Sequence, residues 1–193
     1  MNSTQDRPRG HSGWLARFFW SPQYCNRQRG SREPQCQPLQ GFVLRDLIRV
    51  QDGREQEACT QGPMTMSEPI LAQILQHTKN RPETRASWRL YGRCSGLGEV
   101  NYAAYTELVD RRIYWPDLYR PNGPDVVSDA DAVIAAVVAE NPGLPAAALR
   151  VRCQRSYLES IDVHYADDFT YLLDPAAQRR SDCPGRLRIR GKR

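Results

Sequence analysis

Residues 85–97 read RASWRLYGRCSGL, and residues 40–50, upstream of them, read QGFVLRDLIRV. Both have the density of aromatic, glycine, cysteine and charged residues that marks a place built for chemistry. Neither contains a histidine, the side chain whose ordinary titration lies near neutrality, and Asp46 is their one carboxylate. They look like an active site without the residues that would run it.

The chain around them has 193 residues, enough for one domain with a proper core. Charged residues make up 25% and the chain holds four Trp and nine Tyr, a composition of a folded protein rather than a disordered one. The net charge is +5, and Arg186, Arg188, Arg190, Lys192 and Arg193 equal the whole excess. The body is therefore neutral, which weakens a general nucleic-acid reading. Residues 186–193 read as a solvated basic tail. Lys79 and Lys192 are the only lysines; we attribute the arginine excess to codon composition rather than to function.

Six cysteines form an even set with no C-x-x-C pair. That excludes the usual zinc and redox spacings and favours three disulfides in an oxidising compartment, periplasmic or extracellular, over buried free thiols. The first 13 residues lack the apolar run of a secretory leader, and no run reaches the length of a membrane span. Secretion then implies that the leader is absent from these residues.

Taken in order, residues 1–13 are a polar lead-in and WLARFFW, 14–20, is a buried strand ended by Ser21-Pro22. A polar loop leads to GFVLR, 41–45, a second strand, and residues 50–63 are hydrophilic loop. Ser67 with Pro69 opens a helix over 67–79, with Ile70, Leu71, Ile74 and Leu75 in one stripe and His77 along it as a half-buried packing residue. Arg81-Pro82 breaks that pattern. A second amphipathic helix spans 99–112, and a proline-punctuated aromatic loop follows. Ser128 and Asp131, at capping-box spacing, start DADAVIAAVVAEN. Strands are expected at 149–153, 157–165 and 169–173, the last two as a hairpin. On the middle strand Ser160, Asp162 and His164 alternate with Ile161, Val163 and Tyr165, and they read as a solvated face rather than as a metal cluster with Asp167 and Asp168. No phosphate-binding glycine loop or nucleophile elbow is present.

The order WSPQYC, a second cysteine after a polar loop, GFVLRDLIRV, a third cysteine, and WRLYGRCSGL resembles the ribonuclease T2 family of secreted endoribonucleases. NPGLPAAALRVRC, LESIDVHYADDF and a last cysteine fit the family's ending, so the likeness runs from Leu15 to Cys183. It implies an α+β fold, a central antiparallel sheet with packed helices, as a single domain over 14–185. It also implies the pairs Cys25–Cys36, Cys59–Cys94 and Cys153–Cys183.

Active members carry His-Gly-Leu-Trp-Pro and His-Glu-Trp-x-Lys-His-Gly-x-Cys, whose imidazoles move protons during transfer of the RNA phosphoryl group to the ribose 2′-hydroxyl. Set against the first motif, Arg45 stands at the histidine, Asp46 at the glycine, Ile48 at the tryptophan and Arg49 at the proline. Against the second, Ala86 and Tyr91 stand at the histidines, Ser87 at the glutamate and Leu90 at the lysine. Trp88, Gly92 and Cys94 are kept. The resemblance therefore implies a catalytically inactive relative that works by binding, with no cofactor or metal.

Two surfaces are expected. Tyr114, Trp115 and Tyr119, with a former cleft made apolar by Ile48, Leu90 and Tyr91, favour a protein partner. Arg45, Arg49, Arg89 and Arg93 as phosphate contacts, with Tyr24 or Tyr91 for stacking, support RNA or a nucleotide instead. Trp88 is counted with the candidate binding residues, and a repurposed ribonuclease or other hydrolase is the remaining alternative.

Overall fold

A computed structural model describes residues 12–28, 32–118, 124–172 and 181–191. The element order is β1 (Gly13–Trp20), α1 (Ser21–Arg27), β2 (Phe42–Gln51), β3 (Arg54–Glu55), α2 (Glu68–Thr78), α3 (Arg81–Leu90), α4 (Glu99–Arg111), β4 (Val126–Ser128), α5 (Ala130–Glu140), β5 (Leu149–Gln154), β6 (Tyr157–Tyr165) and β7 (Leu187–Ile189). Seven strands form one sheet in the order β3-β2-β1-β6-β7-β4, with β5 on the other side of β6. Pairing is antiparallel except for β6 with β7, which meet as a parallel pair at Tyr157 and Arg188. The α+β class and central sheet are as expected.

The core follows from strand alternation. Trp14, Ala16, Phe18 and Trp20 of β1 point to one face, joined by Leu44 and Leu47 of β2 and by Ile161, Val163 and Tyr165 of β6. Leu71 and Ile74 of α2, Tyr102 and Val109 of α4, and Val133 and Val137 of α5 pack onto that face. Trp14, Phe169 and Tyr105 stack at its edge, with centroids 5.0 and 4.2 Å apart. His77 sits half-buried, its Nδ1 2.8 Å from Asp110 Oδ2, as a packing histidine should.

The other face of the sheet corrects the sequence reading. Ser160, Asp162 and His164 are buried rather than solvated. They pair across the strand with Phe19, Arg17 and Leu15, and Asp162 is fully enclosed by an ion network. Arg17 Nε is 2.8 Å from Asp162 Oδ1, Arg17 Nη2 is 2.7 Å from Glu55 Oε1, and Arg152 Nη1 is 3.4 Å from Asp162 Oδ2. Burial works against the Arg17 charge, but Asp162 and Glu55 outweigh it and hold the guanidinium protonated beyond its ordinary range.

Other boundaries shift for local reasons. Ser21-Pro22 opens α1 instead of only ending β1, because proline is tolerated in a first helical turn. Pro82 likewise opens α3, with Asn80 Oδ1 accepting from the Glu83 backbone at 3.1 Å. The cap of α5 is Asp129, whose carboxylate accepts from Ala132 N at 2.8 Å; Ser128 ends β4. Residues 169–172 make a single bridge, Tyr165 to Tyr171, in place of a strand; Leu173 is outside the described residues.

The basic stretch 186–193 is not a solvated tail where it is described. Leu187 and Ile189 are buried, β7 pairs with β4, Arg190 Nε donates to Gln23 Oε1 at 2.8 Å, and its guanidinium lies 4.4 Å from the Tyr157 ring centre. Alternating Leu187 and Ile189 carry this strand, a period the surrounding arginines obscure. The disulfides are Cys25–Cys36, Cys59–Cys94 and Cys153–Cys183, as the resemblance implied, with Cα–Cα distances of 5.7, 5.2 and 5.0 Å.

Candidate functional site

The first motif lies on β2, at an irregularity. Arg17 pairs with Asp46 and Phe18 with Leu44, so Arg45 is an inserted residue that the bulge aims away from the ladder. Its guanidinium lies 4.4 Å from the Phe19 ring centre, and Nη2 is 2.9 Å from Glu83 Oε2 in the first turn of α3. A cleft of about 220 Å³ opens here, walled by Phe19, Tyr24, Arg27, Arg45, Glu83 and Glu159. Tyr24 is half-buried, and its hydroxyl accepts from Asn80 Nδ2 at 3.1 Å. Two cations face two carboxylates across this cleft, and Arg27 is itself 3.7 Å from Glu159. Its charge is balanced rather than strongly basic.

The second motif lies on α3 and the turn after it. Ser87 is buried against β2 beside Asp46, whose carboxyl is pushed up by burial despite Arg45 and Ser87 next to it. Tyr102 closes this pocket from α4, its hydroxyl donating to Leu47 O at 3.0 Å, and burial pushes that phenol up as well. Tyr91 packs over Leu15, Ile48 and Val50, and burial raises its phenol too. Ala86 is half-buried, and Leu90 is 38% exposed at the helix end. Apart from Asp46, enclosed between β2 and α3, these positions offer no carboxylate, imidazole or amine.

The kept residues have packing reasons. A Cβ on Gly92 would stand 2.3 Å from the Trp88 ring, so only glycine lets this turn lie against the indole. Trp88 is 2% exposed and donates from Nε1 to Pro63 O at 3.1 Å.

The outer face of α3 forms a second, larger feature. A groove of about 530 Å³ runs between that face and residues 64–68, lined by Met64, Met66, Pro82, Arg85, Trp88 and Arg89 among others. Arg81, Arg85 and Arg89 follow one another four residues apart along it. Glu68 bridges the first two, with Oε2 2.7 Å from Arg81 and Oε1 2.6 Å from Arg85, and its carboxyl is held below the usual range by those hydrogen bonds. Among the described residues no carboxylate pairs with Arg89.

The four arginines expected to converge on phosphate do not. Arg45 belongs to the cleft and Arg89 to the outer groove. Arg49 pairs with Asp167 at 2.5 Å and lies 5.0 Å from the Trp14 ring centre. Arg93 donates to Thr60 O at 2.7 Å and Gln61 O at 3.2 Å, pinning the loop before α2. Ile48 is fully buried, and Trp88, 2% exposed, only floors the outer groove. Trp115 packs on Phe18 and Phe42, with centroids 4.9 and 4.3 Å away; Tyr114 is 69% exposed. Tyr119 lies outside the described residues.

Glu83, Arg27 and Glu159, which complete the cleft, were missed by the sequence reading. The signal for Glu83 was there: Asn80 followed three residues later by Glu83 has cap spacing. Arg27 and Glu159 carry no such mark. Among the described residues no group of His, Cys, Asp or Glu is arranged to hold a metal ion; Asp162 and Asp167 are committed to arginines.

No family model matches the chain, and no curated protein matches it by sequence. Solved structures do. Ribonuclease MC1 from the seeds of bitter gourd is 17% identical, with 91% of this chain and 98% of that one aligned at a TM-score of 0.68. Variants of that ribonuclease have been solved with 5′-GMP and 5′-UMP. The RNase-related protein from Calystegia sepium is 14% identical over 92% and 96% of the two chains, TM-score 0.70. The self-incompatibility associated SF11-RNase of Nicotiana alata is 11% identical over 95% and 100%, TM-score 0.62.

Proposed function

We propose that this chain, which has the fold of the T2 ribonucleases, is a secreted protein that binds a partner and does not cleave RNA. The observation that carries this reading is the state of Arg45. The residue standing at the first motif's histidine is a cation held between the Phe19 ring and Glu83, and a guanidinium does not act as a base at any ordinary pH.

The remaining positions offer no replacement. Ala86 and Leu90 have no ionisable group, and Ser87 is buried behind them. The raised phenol of Tyr91 is further from acting as a base at neutral pH than a free tyrosine. A positioned acid or base contributes about 10² to 10⁴-fold, and loss of one member of a cooperating set removes most of the effect. His77 is engaged by Asp110, and His164 lies buried on β6 opposite Leu15. The buried pair Asp46 and Ser87 gives a repurposed hydrolase no route to substrate.

Three disulfides support an oxidising, extracellular-type compartment, and no described helix is long and apolar enough to cross a membrane. A protein partner is favoured over RNA because the expected arginine cluster is dispersed. A nucleotide remains the second reading, on one observation: Phe19, Tyr24, Arg27 and Arg45 line the same cleft. The test is incubation of the full chain with labelled single-stranded RNA in chelator. No cleavage is expected; cleavage would overturn the reading.

A further inference from the structure

We infer that the arginine-lined outer groove of α3 is a docking site for an extended acidic segment of a protein partner that carries an apolar side chain. The inference rests on the reading of the chain as a binding protein, but not on the cleft at Arg45, which lies against β2.

The groove already shows how it holds a carboxylate. Glu68 is forked between Arg81 and Arg85 at 2.7 and 2.6 Å. The next step of the ladder, Arg85 to Arg89, has the same four-residue spacing, and among the described residues no acid fills it. Arg85 and Arg89 thus line the groove with one carboxylate, Glu68, which Arg81 also pairs, so positive charge is in surplus there and turned to solvent. Four helical residues rise about 6 Å, close to the roughly 6.5 Å between same-side residues of an extended chain. An extended segment can therefore set acids on successive rungs without changing its conformation.

The apolar half of the groove is built beside the ladder. Met64 is 58% exposed, above the buried Met66 and Trp88. Arg93 holds this loop in place through Thr60 O and Gln61 O, and its Nη1 lies 2.8 Å from Met64 Sδ. Methionine is the side chain best able to adapt to a partner's apolar group. The same floor argues against RNA. Trp88 is 2% exposed with its edge tied to Pro63 O, so the groove presents no open aromatic face on which a base stacks.

The test selects random phage-displayed peptides of about a dozen residues against the full chain. Retained peptides are then measured on Arg89→Gln, Arg89→Glu, Met64→Ser and Arg45→Ala. All three positions are at least partly exposed, and matching unfolding curves establish that each variant is folded. The expected peptides carry Asp or Glu near Leu, Ile, Phe or Met, and lose about tenfold in affinity on Arg89→Glu. They weaken measurably on Arg89→Gln and Met64→Ser, and are unchanged by Arg45→Ala. The proposal is overturned if no peptide is retained, if retained peptides ignore Arg89, or if a single-stranded RNA of similar length binds more tightly and is the ligand that Arg89→Glu releases. RNA cleavage is a separate readout, so failure of this groove and failure of the non-enzymatic reading are told apart.

Discussion

Arg45 on β2 and Glu83 in the first turn of α3 meet at 2.9 Å across the mouth of the cleft, with the Phe19 ring under the guanidinium. The cation bridges the two elements that carry the two motifs and thereby closes one side of the place where proton transfer would be needed. Both side chains are partly exposed, at 34% and 28%, so the pair adds about 0 to 1 kcal/mol. Arg45→Ala should accordingly lower stability by no more than about 1 kcal/mol in urea unfolding. It should also weaken any 5′-GMP binding seen by titration calorimetry; unchanged nucleotide binding would remove this cleft from the second reading.

The buried Arg17–Asp162 pair should be far more costly to break. Asp162 is fully buried and Arg17 nearly so, and removing one partner leaves the other charge enclosed. Asp162→Leu alone should destabilise by about 3 to 5 kcal/mol. Replacing both, as Arg17→Met with Asp162→Leu, should recover much of that loss. A double-substitution cycle in denaturant measures the difference; additive costs would contradict the pairing.

Asp46 should impose a pH dependence. Burial raises its carboxyl in the folded chain above the reference value of 3.8, so between the two values the folded state holds a proton that the unfolded chain has released. Its contribution is fully present below the unfolded value and is lost as pH rises through the folded one. Asp46→Asn keeps a neutral side chain at every pH. The variant should match the parent near pH 3 and exceed its stability at neutral pH, as read from unfolding midpoints; equal differences at both ends would contradict this account.

Gly92→Ala should destabilise the chain by about 1 to 3 kcal/mol, the range for forcing an extra carbon into a packed site. The new Cβ would stand 2.3 Å from the Trp88 ring. Trp88 fluorescence gives a local readout: it should shift on Gly92→Ala and remain unchanged on Gly98→Ala, where a Cβ meets nothing within 4 Å.

Much of this fold was legible because apolar period and turn residues agreed, as in β6, where Ile161, Val163 and Tyr165 marked one face and the strand limits matched. The opposite face was misread for a physical reason. Asp162 and Ser160 look solvated in sequence, and only the distant Arg17 and Glu55 reveal that the charge is enclosed. The second half of β2 was obscured in the same way, since Arg45, Asp46 and Arg49 interrupt the apolar pattern while the bulge resets it. At the candidate site, the exchanged residues could be read directly in the sequence. Glu83, Arg27 and Glu159 could not, because a cleft wall is assembled from α3, α1 and β6 without any shared spacing.

The central claim is that this T2-type scaffold carries no ribonuclease chemistry, and RNA turnover by the full chain tests it most directly. Labelled single-stranded RNA should be followed in chelator from acidic to mildly basic pH, beside the His77→Ala/His164→Ala double variant and a protein-free blank. The account predicts that chain, variant and blank give the same product level throughout. Metal-independent cleavage by the chain that disappears in the double variant would contradict it.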